Sequence, residues 1–270
     1  MINILVTLNA NYLPPLKVML NSLFANNNET FSVYMIHSEI PEHEVAQLEQ
    51  FVKRRGHQLT SVQVDSEFFS GAPVFRHYSK EMYYRLAAHL LLPEHLDRIL
   101  YLDPDIVVIN PIHDFYWMDF EDCLFVAAEH EYTVKFTRTI NKLRLGTPNA
   151  KGYFNTGVLL MNLELIRKEV RLEDIYKFIE ENRYKLILPD QDVLNALYWN
   201  KIKPVDSYRY NYDARYYELS KLLPNEKNKL EWIKKNTVFI HFCGKDKPWH
   251  KNYKGELGAF YREYETGVLA

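Results

Sequence analysis

Two aspartates one residue apart, Asp103 and Asp105, follow the apolar run RILYL. Carboxylates leaving a strand can turn toward one hard cation while the strand holds their backbone in place. The tripeptide alone also suits a turn or a cap, and a second copy stands at Asp190 and Asp192. Its place after a strand favours the metal reading for the first copy. His241 sits in another apolar run, VFIHF, where a lone histidine is more often a hydrogen-bonded structural residue. The next nine residues, CGKDKPWHK, shift the balance. Gly244 permits close backbone approach to a ligand, and Lys245, Lys247 and Lys251 outweigh Asp246 and can neutralise phosphate oxygens. A carboxylate pair, an imidazole and a lysine together suggest a divalent ion bridged to a diphosphate. Oxygen ligands suit Mg²⁺ or Mn²⁺, and the imidazole favours Mn²⁺.

Other candidates carry two readings each. Arg85 lies beside the apolar stripe of a helix, where it is either an ordinary paired arginine or a contact to phosphate and sugar. Asp190 follows Pro189 and opens DQDVLNALY, so it is either a helix cap or a carboxylate held near a sugar. Asn155 and Thr156 precede VLLMN and serve either a turn or sugar hydroxyls.

Composition bounds what these residues can belong to. The 270 residues contain only 9 glycines, and neither G-x-x-x-x-G-K-[ST] nor G-x-G-x-x-G occurs, which removes two large nucleotide-binding classes. A net charge of -2, from 33 basic and 35 acidic side chains, argues against a surface built for nucleic acid. Two cysteines, Cys123 and Cys243, exclude a disulfide framework and fit a reducing, cytoplasmic setting. The N-terminus lacks a basic stretch before its short apolar run, so it is expected to be a strand rather than a signal peptide. No run approaches the roughly 18 to 20 apolar residues of a membrane span. A peripheral membrane contact through the basic, aromatic tail KPWHKNYKGELGAFYREYE is left open, with ordinary packing of the tail as the simpler expectation. The oligomeric state is not legible.

The elements that position the candidates alternate. Strands are expected at 2–8, 31–38 and 59–65, separated by a helix over PPLKVMLNSLFANN and another over PEHEVAQLEQFVKRRG, opened by Pro41 and closed by Gly56. A helix over SKEMYYRLAAHLLLPEH, capped by Ser79 and ended by Pro93, leads into one strand over DRILYLDPDIVV. Further strands are expected at DCLFVAAEH, TGVLLMN and NTVFIHFCG, and helices at 162–182 and from Asp190 to Tyr198. Segments 130–153 and 205–236 are poorly periodic and read as excursions from the sheet. Strand-helix alternation predicts an α/β fold with a mainly parallel sheet, whose ligands bind beyond the carboxyl ends of its strands. The residues just after each apolar run, 9–12, 103–105 and 241–247, are therefore the informative ones.

Six segments in order, VTLNANY, YYRLAAHLLLP, RILYLDPDIVV, YFNTGVLLMNL, DQDVLNALY and HFCGKDKPWH, resemble glycosyltransferase family 8, a group of retaining sugar transferases. The resemblance implies a GT-A fold, a Rossmann-like domain over residues 1–245 with a C-terminal extension at 246–270. It implies a UDP-sugar donor, a saccharide or glycolipid acceptor, and Mn²⁺, with Mg²⁺ as second choice, held by Asp103, Asp105 and His241. Thr7, Asn9, Asn11 and Tyr12 match the nucleotide loop, with Tyr12 placed to stack on uracil. Arg85, Asp103, Pro104, Asn155, Gly244 and Lys247 match further contacts to the nucleotide sugar, and Asp190 and Gln191 match the catalytic positions. Two departures stand out: Asn9 replaces the usual aspartate, and His130 stands where relatives often carry an aspartate. Competing readings are a haloacid dehalogenase-type phosphatase using Asp103 and Asp105, and a catalytically silent nucleotide-sugar binding protein.

Overall fold

The β-branched and aliphatic run INILVT makes β1 (Ile2–Thr7), and a 3₁₀ turn at Ala10–Tyr12 then leads into α1 (Leu13–Ala25), which two prolines open at its first turn. In this computed structural model, which describes residues 1–65, 68–69, 80–129 and 135–269, the chain continues through β2 (Phe31–His37), α2 (Glu42–Lys53), β3 (Gln58–Gln63) and α3 (Lys80–Leu91). There follow β4 (Arg98–Leu102), β5 (Ile106–Val108), α4 (His113–Tyr116), β6 (Phe125–Glu129), α5 (Lys135–Arg144) and β7 (Phe154–Asn162). The remainder is α6 (Leu163–Glu169), α7 (Leu172–Asn182), α8 (Pro189–Leu197), β8 (Ile202–Val205), α9 (Ser207–Tyr210), β9 (Tyr212–Asp213), α10 (Ala214–Ser220), α11 (Leu230–Asn236), β10 (Phe239–His241) and α12 (Gly258–Leu269).

Among the described residues, seven strands form one sheet in the order β3-β2-β1-β4-β7-β6-β8. All run parallel except β7, which is antiparallel to both neighbours. Residues of opposite parity face opposite layers. Leu100 and Leu102 of β4 join the core that holds α1 and α2, while Ile99 and Tyr101 join the core under α3, α6 and α8. Each of these four is nearly fully buried, and each such side chain contributes about 1.5–3 kcal/mol. The end of β4 is consequently a rigid mount.

Four expectations need correction. The single strand expected over 97–108 breaks at Asp103–Asp105: β4 stays in the large sheet, and β5 crosses to a second sheet, order β5-β10-β9. The helix expected over 162–182 is two helices, because Val170 and Arg171 take extended backbone angles (φ -97° and -120°) between them. The aperiodic segment 130–153 contains α5, and 205–236 contains α9, α10 and α11. The Ser79 cap and His130 lie outside the described residues.

The aromatic tail turns inward. Leu257 and Tyr261 are buried with Val18 and Phe242, Trp249 and Tyr253 pack against the same cluster, and Asn21 donates to the Tyr264 carbonyl at 2.8 Å. No helix of the described residues is long and apolar enough to cross a membrane.

His89, on α3, is 3% exposed, and burial, reinforced by the Arg167 cation, lowers its pKa to about 4. The unfolded chain therefore takes up this proton at a higher pH than the folded one, so His89 leaves stability intact above about 6.5 and erodes it as pH falls toward 4. The expected loss is on the order of 3 kcal/mol. Urea unfolding between about pH 7 and pH 4.5 tests this: His89→Leu should flatten the slope, and an unchanged slope would contradict the assignment.

Candidate active site

Because β1 and β4 are parallel neighbours and β7 is reversed, one edge of the sheet gathers the ends of β1 and β4 with the start of β7. Thr7, Asp103 and the segment Asn155–Gly157 meet there, and the Asp103 amide donates to the Gly157 carbonyl at 2.8 Å. Pro104 lies at the turn between the two sheets. β10 then pairs with β5 so that His241 faces Ile106, and the Phe242 amide donates to the Asp105 carbonyl at 3.0 Å. Two strand pairings thus deliver an aspartate pair and a histidine that are far apart in the chain.

The delivery is close. One ligand atom from each of Asp103, Asp105 and His241 lies within 4.8 Å of the others. His241 Nε2 is 3.2 Å from Asp105 Oδ1 and 3.7 Å from Asp103 Oδ2. The other Asp105 oxygen accepts from Lys247 Nζ, which also donates to the Phe242 carbonyl at 2.8 Å. Burial alone would raise the Asp105 pKa, but His241 and Lys247 hold it far below the carboxylate range. Burial opposes a proton on His241, yet Cys243 and Asp105 beside it outweigh that and raise its pKa well above the ordinary value. Burial also pushes the Cys243 thiol up.

The three side chains fit a divalent cation. Two carboxylates and one imidazole are a hard, mixed oxygen and nitrogen donor set of the kind Mn²⁺ accepts, and Gly157 leaves the space beside them free of a side chain. A Cβ at Gly157 would fall 2.2 Å from His241 Cε1 and 2.5 Å from Asp103 Oδ2. Gly157→Ala is therefore expected to displace both ligands, abolish Mn²⁺ binding, and lower turnover about a hundredfold or more. Calorimetric Mn²⁺ titration checks this, and wild-type affinity in the variant would contradict the placement.

Arg85 is the hub behind the cluster. Its guanidinium lies 4.0 Å above the Tyr101 ring and donates to Tyr101 Oη, to Asp103 Oδ1 at 2.5 Å, to Thr156 Oγ1 at 2.7 Å and to Asp190 Oδ2 at 2.5 Å. Tyr101 Oη donates to the same Asp103 oxygen at 2.6 Å, and the Thr7 hydroxyl sits 3.3 Å from Tyr101 Oη. Thr7 therefore faces this buried network. Burial and the neighbouring Asp103 charge push the Tyr101 hydroxyl pKa up, so it remains a donor.

Asp190 does not cap α8. The helix starts at Pro189, and it is Asp192, two residues on, whose carboxylate accepts the Ile187 and Leu188 amides at 2.6 and 3.0 Å. Asp192 is completely buried and also takes both Arg144 nitrogens at 2.7 Å and the Tyr153 hydroxyl at 2.6 Å. The second Asp-x-Asp is thus a structural clamp joining α5, the approach to β7 and α8. Gln191, 4% exposed, accepts from Asn155 Nδ2 at 3.3 Å, and its own Nε2 has no hydrogen-bond partner among the described residues.

The loop that follows β1 is shaped by its own side chains. Asn9 Oδ1 accepts the Asn11 amide at 3.1 Å and so caps the 3₁₀ turn. Tyr12 is 36% exposed, its ring 6.2 Å from Trp249 and edge-on to it, a partner that local sequence did not reveal. Gly244 has φ +91°, a left-handed angle that favours glycine, and a Cβ there would press on Arg215 at 3.2 Å. Beside Lys247 opens a cleft of about 740 Å³ lined in part by Arg215, Glu218, Phe242, Cys243 and Tyr253.

An α/β sheet with an Asp-x-Asp and a histidine converging at its carboxyl edge is the GT-A arrangement of glycosyltransferases. The match to the family described as Glycosyl transferase family 8 covers residues 3–253, and the chain belongs to that family of glycosyltransferases. General stress protein A of Bacillus subtilis is 27% identical, over 94% of this chain and 89% of its own. Lipopolysaccharide 1,2-glucosyltransferase of Escherichia coli is 26% identical (89% of this chain, 70% of its own), and lipopolysaccharide 1,3-galactosyltransferase of Salmonella typhimurium is 26% identical (92% and 73%). A crystal structure of the galactosyltransferase LgtC with donor and acceptor sugar analogues superposes with a TM-score of 0.81 at 23% identity, covering 100% of this chain and 97% of that one, which establishes the shared fold. The phosphatase alternative falls with these findings.

Proposed function

We propose that the protein transfers a hexose, glucose or galactose, from a UDP-sugar to a hydroxyl of a lipopolysaccharide-type or other cell-surface saccharide, with retention at the anomeric carbon. The observation that carries this reading is the convergence of Asp103, Asp105 and His241 beside Lys247 at the carboxyl edge of the sheet. The glucosyl- and galactosyltransferases among the relatives support the hexose and the acceptor class. The two unpaired cysteines suit a cytoplasmic enzyme.

Asp103, Asp105 and His241 would hold Mn²⁺, or Mg²⁺ in its place, and the ion supplies positive charge for the departing diphosphate. The chain's own residues do the rest. Lys247 and the backbone around Gly244 receive phosphate oxygens, Asn9 and Asn11 shape the loop that takes the base, and Tyr12 offers a ring face to uracil. Arg85 holds the Asp190 carboxylate against Thr156, so Asp190 is presented from a fixed direction to a sugar at the edge of the sheet. Asn155 retains one amide hydrogen for a sugar hydroxyl, and Gln191 offers a buried donor to an oxygen near the anomeric carbon. The cleft beside Lys247 is our place for the acceptor. Retention needs either a carboxylate nucleophile, for which Asp190 is the candidate, or attack from the leaving-group face with Gln191 stabilising the cationic centre.

A thermal-shift panel of UDP-glucose, UDP-galactose, GDP-mannose and UDP, each with and without Mn²⁺, tests the reading. A ligand at a hundred times its Kd adds about 2.7 kcal/mol, roughly 5–10 °C for a chain of this size. Uridine ligands with Mn²⁺ should shift the melt and GDP-mannose should not. Equal shifts without Mn²⁺ would remove the metal from the account, and binding without sugar transfer to any hydroxyl, water included, would make this a silent nucleotide-sugar binder.

A further inference from the structure

The metal histidine is wired to Gln191 through two asparagine side chains, and the direction of every hydrogen bond in the wire is determined by one backbone amide. The Gly157 amide, which can only donate, points at Asn155 at 2.8 Å, so the atom facing it must be the Asn155 oxygen. Asn211 meets that same oxygen at 2.8 Å and must present its nitrogen there. The Asn211 oxygen is then the atom left to face His241 Nδ1, 2.9 Å away, and Nδ1 must carry a hydrogen. At the other end, the Asn155 nitrogen donates to Gln191 Oε1 at 3.3 Å. Asparagine orientations and histidine tautomers are ordinarily ambiguous, but here each link forces the next. Asn211, His241 and Gln191 are all at most 5% exposed, and Asn155 between them is half-buried. Pairing of β9 with β10, Asp213 opposite His241, is what brings Asn211 to the imidazole.

Resting on the cation site proposed above, we propose that Asn211 is a positioning residue. Its amide, oriented through Asn155 by the Gly157 amide, holds His241 in the tautomer whose Nε2 lone pair faces the cation, and ties that histidine to Gln191. A ligating imidazole is normally held by such a partner on its other nitrogen, and removing the partner weakens metal affinity 10–100-fold. An asparagine here does two things that no single-function residue can. It accepts from His241 and donates to Asn155, so ligand orientation and the placement of Gln191 become one mechanical unit.

The two roles separate by substitution. Asn211→Leu removes both, and Mn²⁺ affinity measured by calorimetry with UDP present should fall about 10–100-fold. Asn211→Asp keeps an acceptor for His241 and loses the donor to Asn155. Its Mn²⁺ affinity should equal or exceed that of the wild type, while kcat at saturating Mn²⁺ falls about tenfold with KM for the donor little changed. Asn211→Ser replaces the leucine variant should the latter not fold. Wild-type Mn²⁺ affinity in the leucine or serine variant, or an aspartate variant as weak as the leucine one, overturns the proposal, and wild-type kcat in the aspartate variant overturns the tie to Gln191. Wild-type protein that binds no Mn²⁺ would defeat the cation site itself, and this inference with it. Binding by the wild type with every variant alike defeats the inference alone.

Discussion

Asp103→Asn is expected to lower turnover by about 10²–10³, at full Mn²⁺ and donor, because one preorganised stabiliser of the leaving group is worth that much. The geometry makes this substitution worse than a simple loss of charge. Asp103 Oδ1 already accepts from the Tyr101 hydroxyl and from Arg85, and the guanidinium can only donate. A substituted amide must therefore place its oxygen on that side and its NH₂ on the side of His241, where a cation is to sit. The amide hydrogens would face the ion, and Mn²⁺ affinity should fall along with kcat. Arg85 would meanwhile lose one of its two carboxylate partners and keep Asp190. Initial rates of UDP release, measured across a Mn²⁺ series, report both effects. Full activity in this variant would refute Asp103 as a ligand.

Asp192→Ala is expected to produce the largest loss of stability from any single change near the site. It leaves the Arg144 guanidinium, the Tyr153 hydroxyl and the amides of Ile187 and Leu188 without their shared acceptor. Breaking a buried ion pair by removing one partner costs about 3–5 kcal/mol, which for a chain of this length is a fall in Tm of roughly 6–20 °C. The helix that carries Asp192 also carries Asp190 and Gln191, so kcat should drop at temperatures where the variant is still folded. Arg144→Leu removes the cation and leaves Tyr153 and both amides on Asp192, so its cost should be smaller. A double-mutant cycle between the two positions should give a coupling of about 0.5–3 kcal/mol. A melting temperature within about 2 °C of wild type for Asp192→Ala would contradict the clamp.

The contrast between these two aspartates shows what local sequence can carry. Asp103, Asp105 and His241 were legible because each follows or ends a strongly apolar run, and the ends of parallel strands are where an α/β sheet presents ligands. Strand-helix alternation over the first 65 residues was equally plain. The roles of Asp190 and Asp192 were not, since which of the two carboxylates turns back to the amides of Ile187 and Leu188 depends on how the chain enters the helix at Pro189. Arg144, Tyr153 and Asn211 lie in segments without periodicity, and the partners that fix them are 30 to 56 residues away, as in the pairs Asn211–His241, Arg144–Asp192 and Asn211–Asn155. Gly157 sits inside an ordinary strand pattern, and only the approach of His241 from the second sheet gives its missing side chain a purpose. The break of the expected strand at Asp103–Asp105 has the same origin: β5 leaves the large sheet because β10, more than 130 residues later, offers it a partner.

Anomalous diffraction at the manganese edge, from crystals grown with UDP and Mn²⁺, shows whether Asp103, Asp105 and His241 share one ion. A single strong peak is expected, bonded to Asp103, Asp105 and the Nε2 atom of His241, with diphosphate oxygens beside it. A nucleotide bound at this edge with no metal peak among those three side chains, or a peak held elsewhere, would contradict it.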